Sequence, residues 1–177
     1  MASSETINVL IVIDTDYVKA HYPNGSKDKT KPTGINHSSQ FMICADPRGV
    51  VSGQGTADLV FKANVGDNVS FRGTSIYQNS DDAVIVYGIK YWSGDQVFNT
   101  FVTDMVTLTG AVQPDPAQLD GLPAKNVTQS FTSLDSKVAR AGKENFYVYF
   151  ALYTLDGTGE KQTLFGYYYW DPQIQVQ

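Results

Sequence analysis

The stretch that decides the fold is "NFYVYFALYTL", residues 145–155. Phe146, Val148, Phe150 and Leu152 fall on one side of an extended chain, and Tyr147, Tyr149 and Tyr153 on the other, the period of two that marks a strand with one buried face. "DGTGEK" follows, then "TLFGYYYWD" (163–171); Asp156-Gly157 is a turn dipeptide, so the spacing predicts a β-hairpin. The Phe/Val/Leu face reads as core. The tyrosine face is amphipathic: it can pack under a second layer, or meet solvent and a partner.

Outward from this hairpin the same pattern recurs. Residues 6–14, 39–45, 58–63, 68–77 and 83–92 read as strands, and a turn at Val65-Gly66-Asp67 feeds the fourth of them. Residues 15–34 read as a long polar excursion with one helical turn capped by Asp16. Residues 93–124 look irregular, with a proline-rich loop at 112–123, and 126–144 leans towards strand. With about eight strands and no long amphipathic helix, the expectation is all-β: a two-sheet antiparallel β-sandwich of jelly-roll or immunoglobulin-like topology. Residues 1–177 then form a single domain, with 1–5 as a flexible tail.

Composition agrees with this class and excludes others. The 11 Tyr, 9 Phe and 2 Trp favour sheets. A net charge of −5 argues against nucleic acid and anionic membrane surfaces, because phosphate binding needs clustered positive charge. Cys44 is the only cysteine, which excludes an intramolecular disulfide and a cysteine metal cluster. The N-terminal apolar run, Val9 to Ile13, is too short for a signal peptide or a membrane span, so a cytoplasmic protein is expected.

Several constellations invite chemistry. "LIVIDTD" (10–16) ends a branched apolar run in Asp14 and Asp16, the presentation used by aspartate-dependent phosphatases. That chemistry needs a parallel sheet with crossover helices and further carboxylates behind later strands, which the pattern does not supply, so the phosphatase is the remote alternative. The bland reading is that both aspartates tie down the following loop through backbone N–H groups. An EF-hand fails because Val18 stands where a ligand is required; Ca2+ remains the one cofactor loop carboxylates could hold, indicated by no motif. A blue-copper set fails because His21 and His37 both precede Cys44. His37 and Ser38 lack a hydrolase elbow, leaving His37 a structural or ligand-contacting histidine. Tyr167, Tyr169 and Asp171 share a face by strict alternation and suit carbohydrate, with CH groups on rings and hydroxyls on polar edges; sheet packing or a subunit interface is the bland reading. The candidate ligand-binding residues are therefore Asp14, Asp16, His37, Tyr167, Tyr169 and Asp171, with no catalytic set and no metal set.

Taken in order, "INVLIVIDTD", "PTGINHSSQFM", "SGQGTADLVFKANVGDNVSFRGTS", "DDAVIVYGI", "NFYVYFALYTLD" and "LFGYYYWDP" resemble the PixA/AidA family of bacterial inclusion body proteins, from about Thr6 to Val176. PixA is methionine-rich and this chain has 3 Met, so it resembles the AidA side more. The resemblance implies a β-sandwich, quorum-sensing or growth-phase control, intracellular inclusions, a link to host association, and no catalytic residues to carry over. The reading that follows is a non-enzymatic cytoplasmic protein that forms a homodimer or higher homo-oligomer. The alternative is a lectin-like module with a glycan as partner.

Overall fold

A computed structural model describes residues 3–45 and 47–177. In chain order the elements are β1 (Thr6–Ile13), α1 (Thr15–His21), β2 (Thr33–Gly34), β3 (Gln40–Ala45), β4 (Val50–Ser52), β5 (Leu59–Phe61), β6 (Asn68–Ser75), β7 (Ala83–Gly94), β8 (Val102–Gln113), β9 (Lys125–Lys137), β10 (Gly142–Leu155), β11 (Gln162–Trp170) and β12 (Gln173–Val176). They build two sheets. The smaller has the order β3-β1-β6-β9-β8; the larger runs β2-β11-β10-β12-β5-β4, with β7 on the other edge of β10.

One core joins the two sheets. From the smaller sheet come Ile7, Val9, Ile11 and Ile13 of β1 with Val69 and Phe71 of β6; from the larger come Phe146, Val148, Phe150 and Leu152 of β10 with Tyr168 and Trp170 of β11. The alternation read in 145–155 is thus the buried face of β10. Each such side chain contributes about 1.5–3 kcal/mol on leaving water, so the inner faces hold the sheets together. Cys44 is buried in β3. Its backbone is matched by a side chain that imitates a strand: Cys44 N–H donates to Gln54 Oε1 at 2.9 Å, and Gln54 Nε2 donates to the Cys44 carbonyl at 2.9 Å.

Several expectations are corrected. The sheets are mixed, not antiparallel: β1 pairs with β6, β11 with β2 and β12 with β5 in parallel. Jelly-roll and immunoglobulin-like sandwiches are built from antiparallel pairs, so this architecture departs from both in that respect. The long excursion between β1 and β6 is what lets the chain return and run alongside itself in the same direction. The helix is capped by Asp14, not Asp16: Asp14 has the extended backbone of an N-cap (φ −75, ψ 93), and its Oδ1 accepts the Tyr17 N–H at 3.0 Å. The left-handed glycine of the β10–β11 turn is Gly159 (φ +74), while Gly157 lies outside that conformation. Of the expected tail, Met1 and Ala2 lie outside the described residues. Ser4 Oγ donates to the Gly66 carbonyl at 2.9 Å and Glu5 N–H to Asp67 Oδ1 at 2.9 Å, so residues 4 and 5 are tied to the turn before β6.

The largest correction lies in 93–124, which contains β8. Val102 to Gln113 pairs antiparallel with β9 from Asp135 back to Lys125. β9 joins β6 only through Leu134 to Lys137, and β8 is the outermost strand of its sheet. The rest of the β8–β9 pair is a two-stranded ribbon that leaves the body. All of β8 except Ala111 is exposed. A strand in water on both faces has no core side to imprint an apolar alternation, which is why the pattern was illegible.

Candidate functional site

The outer face of the larger sheet is aromatic. Tyr147 and Tyr149 of β10 alternate outward between buried neighbours, and Tyr167 and Tyr169 of β11 do the same beside buried Tyr168 and Trp170. The Tyr147 and Tyr169 rings meet edge to face at 5.1 Å, Tyr149 and Tyr169 at 6.0 Å. These four were legible as strand residues facing outward.

Two further rings come from β7, and the sequence did not show them. The β7–β10 register slips at two places: Asn145 faces Ser93 and Phe146 faces Tyr91, skipping Trp92; Tyr149 faces Gly88 and Phe150 faces Val86, skipping Tyr87. The skipped residues are bulges, and a bulge re-aims its side chain. Trp92 stacks on Tyr147 at 5.6 Å; Tyr87 stacks on Tyr149 at 5.9 Å and meets Tyr167 edge to face at 5.8 Å. A Cβ added at Gly88 would stand 3.3 Å from the Tyr149 ring, so glycine there keeps that ring's place free.

The polar excursion supplies a wall. Tyr87 Oη donates to the Lys29 carbonyl at 3.0 Å, which clamps residues 29–32 against the sheet. The result is an open cleft of about 400 Å³ with Tyr87, Tyr147, Tyr149 and Tyr169 as floor and Lys29, Thr30 and Pro32 as wall. Burial, then the neighbouring Tyr149 and Tyr167, push the Tyr87 phenol up to about 12; burial, then Tyr147 and Tyr169, also raise Tyr149. Both stay protonated at neutral pH, and the Tyr87 hydroxyl is the donor that holds the wall.

The other candidates go elsewhere. Asp171 turns from the tyrosine face to His37: the His37 Nε2–Asp171 Oδ1 distance is 3.2 Å, and His37 Nδ1 lies 3.4 Å from Asp58 Oδ2. Asp58 also accepts the Gln173 N–H at 2.7 Å, so this cluster ties the excursion to the start of β12. With carboxylates at both ring nitrogens, His37 has neither one turned to Ser38 as a base would. Asp14 is the helix cap. Asp16 accepts from the Tyr77 hydroxyl and pairs with Lys19 at 2.9 Å; that hydrogen bond first, then Lys19, hold its carboxyl below the usual range. Lys19 bridges on to buried Asp82 at 2.6 Å. The loop-tying role expected of both aspartates therefore holds for Asp14 through a backbone N–H, while Asp16 acts through side chains. Among the described residues no three His, Cys, Asp or Glu side chains are grouped to hold a metal ion.

The ribbon is the second exposed feature. Val102 (61% exposed), Met105 (65%) and Val112 (72%) of β8 and Phe131 of β9 (42%) stand in solvent, and Val106 faces Phe131 across the pair. Val106, Leu108 and Phe131 line a groove of about 370 Å³ with Arg72 and Asp104 at its side.

Comparison with known proteins agrees with the sequence motifs. A family model for PixA, an inclusion body protein, matches residues 5–176. Among solved structures, the crystal structure of an inclusion body protein (PixA) from Burkholderia cenocepacia J2315 is similar, with 35% sequence identity and a TM-score of 0.80 over 99% of this chain and 98% of that one. No curated protein matches the chain.

Proposed function

This chain belongs to the PixA inclusion body protein family, and from that membership we propose that it is a non-enzymatic cytoplasmic protein that self-associates through its β8–β9 ribbon. The observation that carries the reading is the ribbon's outer edge. β8 has the unpaired N–H and C=O row of an edge strand, and natural edges are blunted by lysine, proline or covering elements. "VTDMVTLTGAVQ" has neither lysine nor proline, and Asp104 is its one charge. Residues 126–134 of β9 carry no charge at all.

A second copy is the occupant these features suit. The whole chain carries −5, so two copies repel, and they repel least where charge is absent. An edge strand is self-complementary about a two-fold axis, the commonest route to a homodimer. Twelve residues of strand extend about 40 Å, long enough for a continuous ladder with a second copy. Quorum-sensing or growth-phase expression, host association and a position nearer AidA than PixA accompany this reading as family-level proposals.

Sedimentation velocity across a concentration series tests it. The wild-type chain is expected to sediment as a dimer or larger species, and Met105→Lys with Val106→Lys to shift it to monomer with an unchanged circular dichroism spectrum. A wild-type monomer at every concentration overturns self-association; an oligomer untouched by the two lysines overturns the ribbon as its site.

A further inference from the structure

The tyrosine cleft lies on the other sheet and takes no part in pairing through β8. We propose that it is a carbohydrate site, in which a pyranose ring lies against the rings of Tyr147, Tyr149 and Tyr169 while its hydroxyls bond the phenol groups and the Lys29–Thr30 wall.

The first argument is placement. The outer face of a sheet normally carries polar side chains towards water, yet here ring surface is gathered at the bottom of a concavity. The volume of about 400 Å³ falls in the range of small-ligand sites. The second is rigidity. Tyr147, Tyr149 and Tyr169 touch one another, Tyr87 backs Tyr149, and the Tyr87 hydroxyl holds the wall to the floor. Tyrosines already locked by neighbours lose little freedom when a ligand arrives.

The third argument selects the ligand. An aliphatic ligand would strip water from phenol hydroxyls and the Lys29 ammonium without replacing those hydrogen bonds, a costly exchange. A phosphorylated ligand calls for several cations or a bidentate arginine, and the wall supplies one lysine. A pyranose alternates CH and OH around one ring, matching an aromatic floor rimmed by phenol groups and a threonine. Alternation along β11 grouped Asp171 with Tyr167 and Tyr169; the structure keeps Tyr169, sets Tyr167 behind Tyr87 and sends Asp171 to His37. The resulting site is built on Tyr147, Tyr149 and Tyr169 and needs no metal.

A glycan array probed with the labelled full-length protein is the test, run beside Tyr149→Ala and Lys29→Trp. The wild-type chain is expected to give a reproducible hit. Tyr149→Ala removes floor and should weaken that hit by about tenfold or more, the loss expected of a central aromatic contact. Lys29→Trp crowds the cleft from an exposed loop position and should abolish it; it disturbs no buried side chain, so it decides the matter should Tyr149→Ala fail to fold. A blank array overturns the proposal, as does a hit that survives Lys29→Trp. Lys29→Trp should sediment as wild type does, which separates failure of this site from failure of self-association through the ribbon.

Discussion

The β10–β11 pair and the β8–β9 pair are both long antiparallel couples, and they do opposite things. β10 and β11 bury Phe146, Val148, Phe150, Leu152, Tyr168 and Trp170 under a second sheet and interlock aromatic rings on the outside. β8 and β9 make a comparable ladder of backbone hydrogen bonds and bury almost nothing along most of it. A two-stranded ladder is marginal in water by itself, because net backbone hydrogen bonds are weak and apolar burial supplies the surplus. The β10–β11 pair is therefore scaffold. The ribbon keeps its pairing because its root, Leu134 to Lys137, is stitched to β6, and it leaves Val102, Met105, Val112 and Phe131 in solvent.

Truncation in the core against truncation on the ribbon is the sharpest test of that contrast. Phe150→Ala is expected to lower the unfolding free energy by about 3–5 kcal/mol, through lost burial and the cavity left behind. Phe131→Ala, on a half-exposed ring, should cost less than about 1 kcal/mol in the monomer. Urea denaturation of both variants at a concentration where the chain is monomeric checks this, and equal losses would break the comparison.

The next effect lies at the root. Asp67 is buried; it pairs with Arg48 (Nη2 to Oδ1 2.8 Å) and accepts the N–H groups of Glu5 (2.9 Å) and Asn64 (2.7 Å). Its own carbonyl takes the Val138 N–H at 2.9 Å, just where β9 ends. Asp67→Asn should cost about 3 kcal/mol, since it strips a buried charge pair of one partner. Arg48 foremost, then the two backbone donors, hold this carboxyl well below the usual carboxylate range, against the opposing effect of burial. A depressed folded-state pKa means the stabilisation is complete above the unfolded-state value near 4, and is lost as pH falls below it. Unfolding curves between pH 6 and pH 2 should show the wild-type chain losing stability over that window, and Asp67→Asn losing less of it. Identical pH slopes would show that Asp67 is not the group responsible.

The smallest effect distinguishes the two outer surfaces. Tyr169→Phe keeps the ring and removes a hydroxyl outside the core, so stability should change by less than about 0.5 kcal/mol in the same urea experiment. A larger loss would mean that the hydroxyl, and not the ring contacts at 5.1 and 6.0 Å, holds the aromatic face together.

How far each region could be read follows from the same contrast. Strands that meet a core write an alternation into the chain, so β1, β3, β6, β10 and β11 were legible from residues 6–14, 39–45, 68–77 and 145–171. β8 was not, because valine, threonine and methionine in water on both faces carry no phase. β12 was missed behind Pro172, where strict alternation was not expected to continue. Three of the seven residues lining the cleft were legible: Tyr147, Tyr149 and Tyr169 lie where a period of two puts them. Tyr87 sits at a bulge, which shifts the phase by one residue, and Lys29, Thr30 and Pro32 lie more than a hundred residues before β10 and β11. Asp171 was misassigned because alternation describes a ladder, and the β11 ladder ends at Trp170.

By itself the sequence determined the β class, the core faces of the main strands and the family, since each rests on local periodicity or on ordered motifs carried within the chain. Tertiary structure decided which strands run parallel, where the bulges fall, that Asp14 caps the helix while Asp16 joins Tyr77 and Lys19, and that β8 and β9 leave the body as a ribbon. Those outcomes depend on which distant segment supplies the partner for a backbone edge or a side chain. Neighbours in sequence carry no record of that choice, because hydrogen bonding and burial are satisfied by whatever the fold brings within reach.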